Sequence, residues 1–168
     1  MSIAFGHAQA QTNTADPVAP NSRGPLAETV SGMVRFTRWP QDSKEMRLCV
    51  LGSGGSAEEL LRPGAVGTAE RPVAAQPVGM TEESLDDCQV LYVSGPIDRI
   101  AREQIIKSTG RPMLTIAEGQ ETCSDGIMFC LDPASRRFSV NLDAIARSGL
   151  RVNPQVLRLA RPNSRPGS

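Results

Sequence analysis

Apolar residues fill every position of Val90-Leu91-Tyr92-Val93 rather than alternate ones. An uninterrupted run rich in β-branched side chains suits a strand covered on both faces. Ser94-Gly95-Pro96 ends it, and Pro96 suits the first position of a following helix. A run of the same kind, Leu48-Cys49-Val50-Leu51-Gly52, lies earlier in the first strand, expected over residues 46–51. Residues 71–79, with Val73, Ala74 and Val78, predict a weaker strand, and Pro112-Met113-Leu114-Thr115-Ile116 a further one.

Helical spacing separates these runs. Val30, Met33, Val34 and Phe36 predict a helix over residues 27–39, with Pro40 as its stop. Ser56 and Glu59 have the spacing of a capping box at the start of a second helix. Ile97, Ile100, Ala101 and Ile105 make residues 96–108 amphipathic, and Gly110 ends that helix. A short turn or helix is expected over residues 81–85. Residues 123–132 and 137–142 predict a β-hairpin turned at residues 132–135. Residues 142–147 and 154–160 predict two short helices with Gly149 between them.

Strand and helix alternating up to Ile116 argue for βαβ units and a parallel sheet, to which the hairpin adds antiparallel edge strands. The fold class is therefore α/β: a single domain, with a mainly parallel central sheet flanked by helices and a C-terminal hairpin at the edge. In a doubly wound order the first and third strands are neighbours. That order sets Cys49 beside Cys88, each at the start of its strand, while Cys123 and Cys130 close a short local loop. Four cysteines allow two disulfides in three connectivities. None forms Cys-x-x-Cys and none has a histidine nearby, so a metal site is not expected.

A chain of 168 residues can bury a real core. Its formal net charge is zero, so no global field steers it to nucleic acid. The balance is uneven, however: residues 134–168 carry seven arginines against Asp143 alone. Such a basic end is either a solvated surface or a face for an acidic partner or anionic lipid head groups. Near the N-terminus, Ala8-Gln9-Ala10 has the small-residue pattern of a secretory cleavage site. Residues 1–10 are read as the remnant of a signal peptide, and residues 11–26 as a disordered lead-in. Residues 27–161 are read as the domain, and 162–168 as a disordered tail. Leader and cysteines together point to an oxidising compartment. No run approaches the ~20 apolar residues of a membrane span.

The only histidine, His7, lies in the leader. The domain then lacks the usual general base and the commonest metal ligand. Gly52-Ser53-Gly54-Gly55 between a strand and a helix could cradle a phosphate, yet it matches neither a dinucleotide fingerprint nor a P-loop with its lysine. No enzyme and no cofactor are expected. For a docked partner, two stretches offer apolar groups ringed by charge. One is Phe36 and Trp39. The other sets Val156, Leu157 and Leu159 among Arg151, Arg158 and Arg161. Phe36 and Leu157 are expected in the core, whereas the arginines are hard to place there.

The order of segments resembles the YfiR family of periplasmic proteins. The resemblance runs through Phe36-Thr37-Arg38-Trp39-Pro40, Arg47-Leu48-Cys49-Val50-Leu51-Gly52 and Cys88-Gln89-Val90-Leu91-Tyr92-Val93-Ser94. It continues through Pro112-Met113-Leu114-Thr115-Ile116, Gly126-Ile127-Met128-Phe129, Phe138-Ser139-Val140-Asn141-Leu142-Asp143 and residues 149–160, covering roughly residues 28–161. It implies a non-enzymatic periplasmic repressor of an inner-membrane diguanylate cyclase, acting on the cyclase's periplasmic region. That would lower cyclic-di-GMP signalling and biofilm formation. It also implies a cell-envelope lipoprotein that sequesters the repressor, homodimers, and disulfides Cys49–Cys88 and Cys123–Cys130. Glu28-Thr29-Val30-Ser31-Gly32-Met33 departs from the more aromatic, alanine-rich first helix of the relatives. The alternative reading is a periplasmic small-ligand binding module serving a transporter or receptor. It would use the crevice near residues 52–56 and 94–96, at the carboxyl ends of the strands.

Overall fold

The computed structural model describes residues 23–41, 43–79, 85–119, 123 and 126–160. The leader, most of the expected lead-in, the expected turn over 81–84, Arg161 and the tail lie outside the described residues.

Helix α1 (Pro25–Arg35) begins with a proline in its first turn, where a missing N–H costs nothing. It stops at Arg35 rather than running to Trp39, because the next residues are claimed by a strand. Strand β1 (Thr37–Arg38) pairs antiparallel with β8 (Arg151–Val152) in a two-stranded ribbon.

The main sheet has six strands: β2 (Met46–Gly52), β3 (Val73–Pro77), β4 (Val90–Ser94), β5 (Leu114–Glu118), β6 (Phe129–Leu131) and β7 (Phe138–Val140). Their order is β3-β2-β4-β5-β6-β7. The first five pair in parallel, and only β7, at the edge, is antiparallel. Placing the second strand outside the first makes this a doubly wound order whose direction reverses between β2 and β4. Every residue of β4 is buried, as its unbroken apolar run requires.

The strands feed two layers of core. Leu48, Val50, Val90, Tyr92, Leu114 and Ile116 face α1 and α2 (Gly55–Leu61), against Val30, Met33, Val34 and Leu60. Cys49, Leu91, Val93 and Ala117 face the opposite side, against Ile105 of α3 (Arg99–Lys107). The disulfide Cys49–Cys88 lies inside this second layer, and Cys123–Cys130 joins the loop before β6 to β6 itself.

Two local readings are corrected. Pro96 lies outside α3: Asp98 Oδ1 accepts the Ala101 N–H at 2.8 Å and starts the helix at Arg99. Ser56 and Glu59 form no capping box either, since the N-cap of α2 is Gly54, which offers no side-chain cap. Both side chains serve distant elements. The Glu59 carboxylate accepts the Ala27 N–H at 3.0 Å, satisfying an orphan donor at the start of α1, and Ser56 turns to β5. Helix α4 (Leu142–Ser148) is capped by Asn141 and ends at Gly149, whose φ of 77° suits glycine. The described residues end with a 3₁₀ helix (Pro154–Ala160).

Candidate partner-binding face and the crevice at the strand ends

In a doubly wound sheet the crevice at the carboxyl ends of the strands is the usual ligand position. Here it lies between Gly52 and Ser94, which are register partners in β2 and β4. Gly52 has φ 100°, and a Cβ there would stand 2.0 Å from the Ser94 carbonyl oxygen, so the two backbones approach as only glycine allows. Glu118, at the end of β5, reaches into this crevice. Its Oε2 accepts hydrogen bonds from Ser56 Oγ at 2.7 Å and Tyr92 Oη at 2.8 Å, and its Oε1 accepts one from Ser94 Oγ at 2.8 Å. Ser94 Oγ also lies 3.2 Å from the Ser53 carbonyl. The network ties the β2–α2 turn, β4 and β5 together, and gives the wholly buried Tyr92 a partner for its hydroxyl. Burial, then the adjacent Glu118 carboxylate, push the Tyr92 phenol well above its ordinary range. A hollow of about 210 Å³, lined by Ser56, Glu59, Glu118 and Arg136 among others, borders this network.

The sequence-derived partner residues lie around the β1–β8 ribbon. Phe36 is half-buried and packs on the larger core, with the Arg35 guanidinium 5.2 Å from its ring centre. Trp39 is also half-buried. Its Nε1–H donates to the Gln89 carbonyl at 3.2 Å, and Arg71 covers its ring at 5.7 Å. Arg71 Nη1 donates in turn to the Thr37 carbonyl at 3.0 Å, so Trp39 is held as a lid over the start of β4. Arg151 and Arg158 are exposed, and Arg161 lies outside the described residues.

Val156 is buried, and Leu159 packs against Gly32 of α1. Leu157, expected in the core, is instead 51% exposed. The 3₁₀ geometry is the reason: residues three apart share a line, so 156 and 159 face the core while 157 points away. Leu142, at the start of α4, is 74% exposed.

Sequence reasoning did not single out Arg38, Arg71, Tyr92 or Glu118. Arg71 reaches Trp39 only in the folded chain, and Arg38 meets Arg151 only once the ribbon is formed. Among the described residues no three His, Cys, Asp or Glu side chains gather as a metal cage, and no helix is long and apolar enough to cross a membrane.

These features define a doubly wound α/β domain, pinned by two disulfides, that satisfies its own strand-end crevice and carries an arginine-rich surface beside an exposed leucine. Residues 26–161 match the family described as DUF4154, YfiR/HmsC-like, and the chain belongs to that family. It is generally a family of non-enzymatic regulatory domains, known to act with a diguanylate cyclase partner.

Proposed function

We propose that the chain is a periplasmic regulator. It represses an inner-membrane diguanylate cyclase by docking on the cyclase's periplasmic region, and so lowers cyclic-di-GMP and biofilm formation. Two disulfides within one domain support an oxidising compartment. The observation that carries the docking face is Leu157, an exposed apolar group that lies in the chain between the exposed Arg151 and Arg158, neither of which has an ion-pair partner among the described residues. An apolar anchor ringed by unpaired charge suits a reversible encounter with an acidic surface. Phe36 and Trp39, half-buried on either side of β1, and Arg161, which lies outside the described residues, are the further candidates for contact with the partner. A cell-envelope lipoprotein that sequesters the regulator would compete for this face, as would a second copy of the chain.

The small-ligand alternative draws little support from the crevice. Its carboxylate already accepts three hydroxyl hydrogen bonds from the chain itself.

The test combines Arg151→Glu with Arg158→Glu in the full oxidised chain. Thermal melting is measured beside a pull-down with the cyclase's periplasmic domain. A melt no lower than that of the wild type, with lost capture, is expected, since Arg151→Glu faces Arg38 across the ribbon. A melt no lower than wild type with full capture would move the interface elsewhere, and a collapsed melt would make these arginines structural.

A further inference from the structure

Arg38 and Arg151 stand directly opposite one another in the β1–β8 ribbon. Both are exposed, while the next pair, Thr37 and Val152, turns inward, with Thr37 wholly buried. Directly paired residues leave the same face of a ribbon from Cβ atoms about 5 Å apart. Two guanidinium groups so placed repel, and like charges at such a position cost stability.

Four other described arginines are ion-paired. Arg47 pairs with Asp87, Arg99 with Glu103, Arg111 with Asp86 and Arg147 with Asp143. Arg71, beside the ribbon, spends its guanidinium on the Thr37 carbonyl and the Trp39 ring. Arg38 and Arg151 have no ionic partner among the described residues. A repulsive pair across two strands of two residues each is an arrangement that an anion between them would turn from a cost into an attraction.

We propose that Arg38 and Arg151 form a fork for a carboxylate, an Asp or Glu side chain on an acidic protein surface. This inference rests on the docking reading above and adds Arg38 to it as the second prong. Guanidinium groups present planar pairs of donors, and charge-assisted hydrogen bonds from two of them to one carboxylate fix its orientation as well as its affinity. The 3₁₀ helix bearing Leu157 follows β8 after a single residue, so the fork and the apolar anchor are close along the chain.

The fork makes a prediction that a merely solvated pair of arginines does not. Arg38→Glu replaces cross-strand repulsion with attraction, so it raises Tm, by roughly 1–4 °C. The same substitution weakens binding to the cyclase's periplasmic domain at least ten-fold, measured by titration calorimetry on the full oxidised chain. Arg38→Lys keeps the charge without the planar donors and weakens binding less. Arg102→Glu, on the exposed side of α3, makes the same charge change away from the ribbon and leaves the affinity within two-fold.

A higher Tm with weakened binding supports the fork. Wild-type binding that Arg38→Glu leaves unchanged overturns the fork and leaves the docking reading standing. Absence of binding by the wild-type chain overturns the docking reading and the fork with it. A dimer that Arg38→Glu splits, with cyclase binding intact, assigns the fork to a second copy and overturns the proposal as stated.

Discussion

Replacing Tyr92 with phenylalanine isolates the hydroxyl that anchors the strand-end crevice. The ring stays in a fully buried site, and only the 2.8 Å hydrogen bond to Glu118 Oε2 is removed. A hydrogen bond to a charged group contributes about 1.5–3 kcal/mol. Ser56 and Ser94 continue to supply the carboxylate, so Tyr92→Phe should cost about 1.5–2 kcal/mol near neutral pH.

The cost depends on pH in a definite direction. The phenol is held protonated in the folded state above its ordinary value, first by burial and then by Glu118. Below about pH 10 both states keep the proton, and its contribution is complete. Above that, the unfolded chain releases a proton that the folded chain retains, and the wild type loses about 1.4 kcal/mol of stability per pH unit. The phenylalanine variant has no such slope. The gap between the two proteins should therefore shrink towards zero by about pH 11.

Urea unfolding followed by the fluorescence of Trp39, the only tryptophan, gives both curves. Because Tyr92 is the only tyrosine, the tyrosinate absorbance band reports its ionisation directly. A gap that stays constant from about pH 7 to about pH 11 would show that the folded state does not hold the phenol protonated. So would a tyrosinate band appearing near pH 10 while the protein is still folded.

Three further outcomes are expected. Replacing Cys49 and Cys88 with serine opens a loop whose ends are 39 residues apart and should cost about 4 kcal/mol by the loop-entropy relation, against about 2.5 kcal/mol for Cys123 and Cys130, 7 residues apart; denaturant midpoints read both, and equal losses would discount chain entropy as the cause. Gly52→Ala sets a Cβ against the Ser94 carbonyl at an unfavourable φ and should cost about 3 kcal/mol or more, whereas Gly54→Ala, with open space around its Cβ position, should cost only its backbone strain of about 1–2 kcal/mol. Asp98→Ala removes the N-cap of α3 and should cost about 1 kcal/mol in the same unfolding assay, with Asp98→Asn restoring most of it.

The elements that sequence periodicity located are those whose burial is decided by their own neighbours in the chain. Val90 to Val93 read as a two-sided strand because all four are buried. Cys49 and Cys88 met because a parallel order follows from alternating strands and helices, and the pair in turn closes that order. What sequence left out depends on residues far apart. Ser56 and Glu59 have the spacing of a local cap, but Glu118, 62 residues beyond Ser56, and Ala27, 32 before Glu59, offered them better partners. The ribbon that ends α1 early has strands of two residues each, too short to show an alternation. Leu157 was misplaced because its helix winds with three residues per turn rather than 3.6. Arg38 carries no local signal at all, and its interest arises only from the register that sets it against Arg151.

The proposed function is repression of a membrane diguanylate cyclase. The most direct measurement is intracellular cyclic-di-GMP in a strain lacking the gene, complemented with either the wild-type chain or Arg151→Glu/Arg158→Glu. The nucleotide should rise on deletion, return to the parental level with the wild-type chain, and stay raised with the variant present at equal abundance. No rise on deletion under any growth condition would contradict the proposed repression.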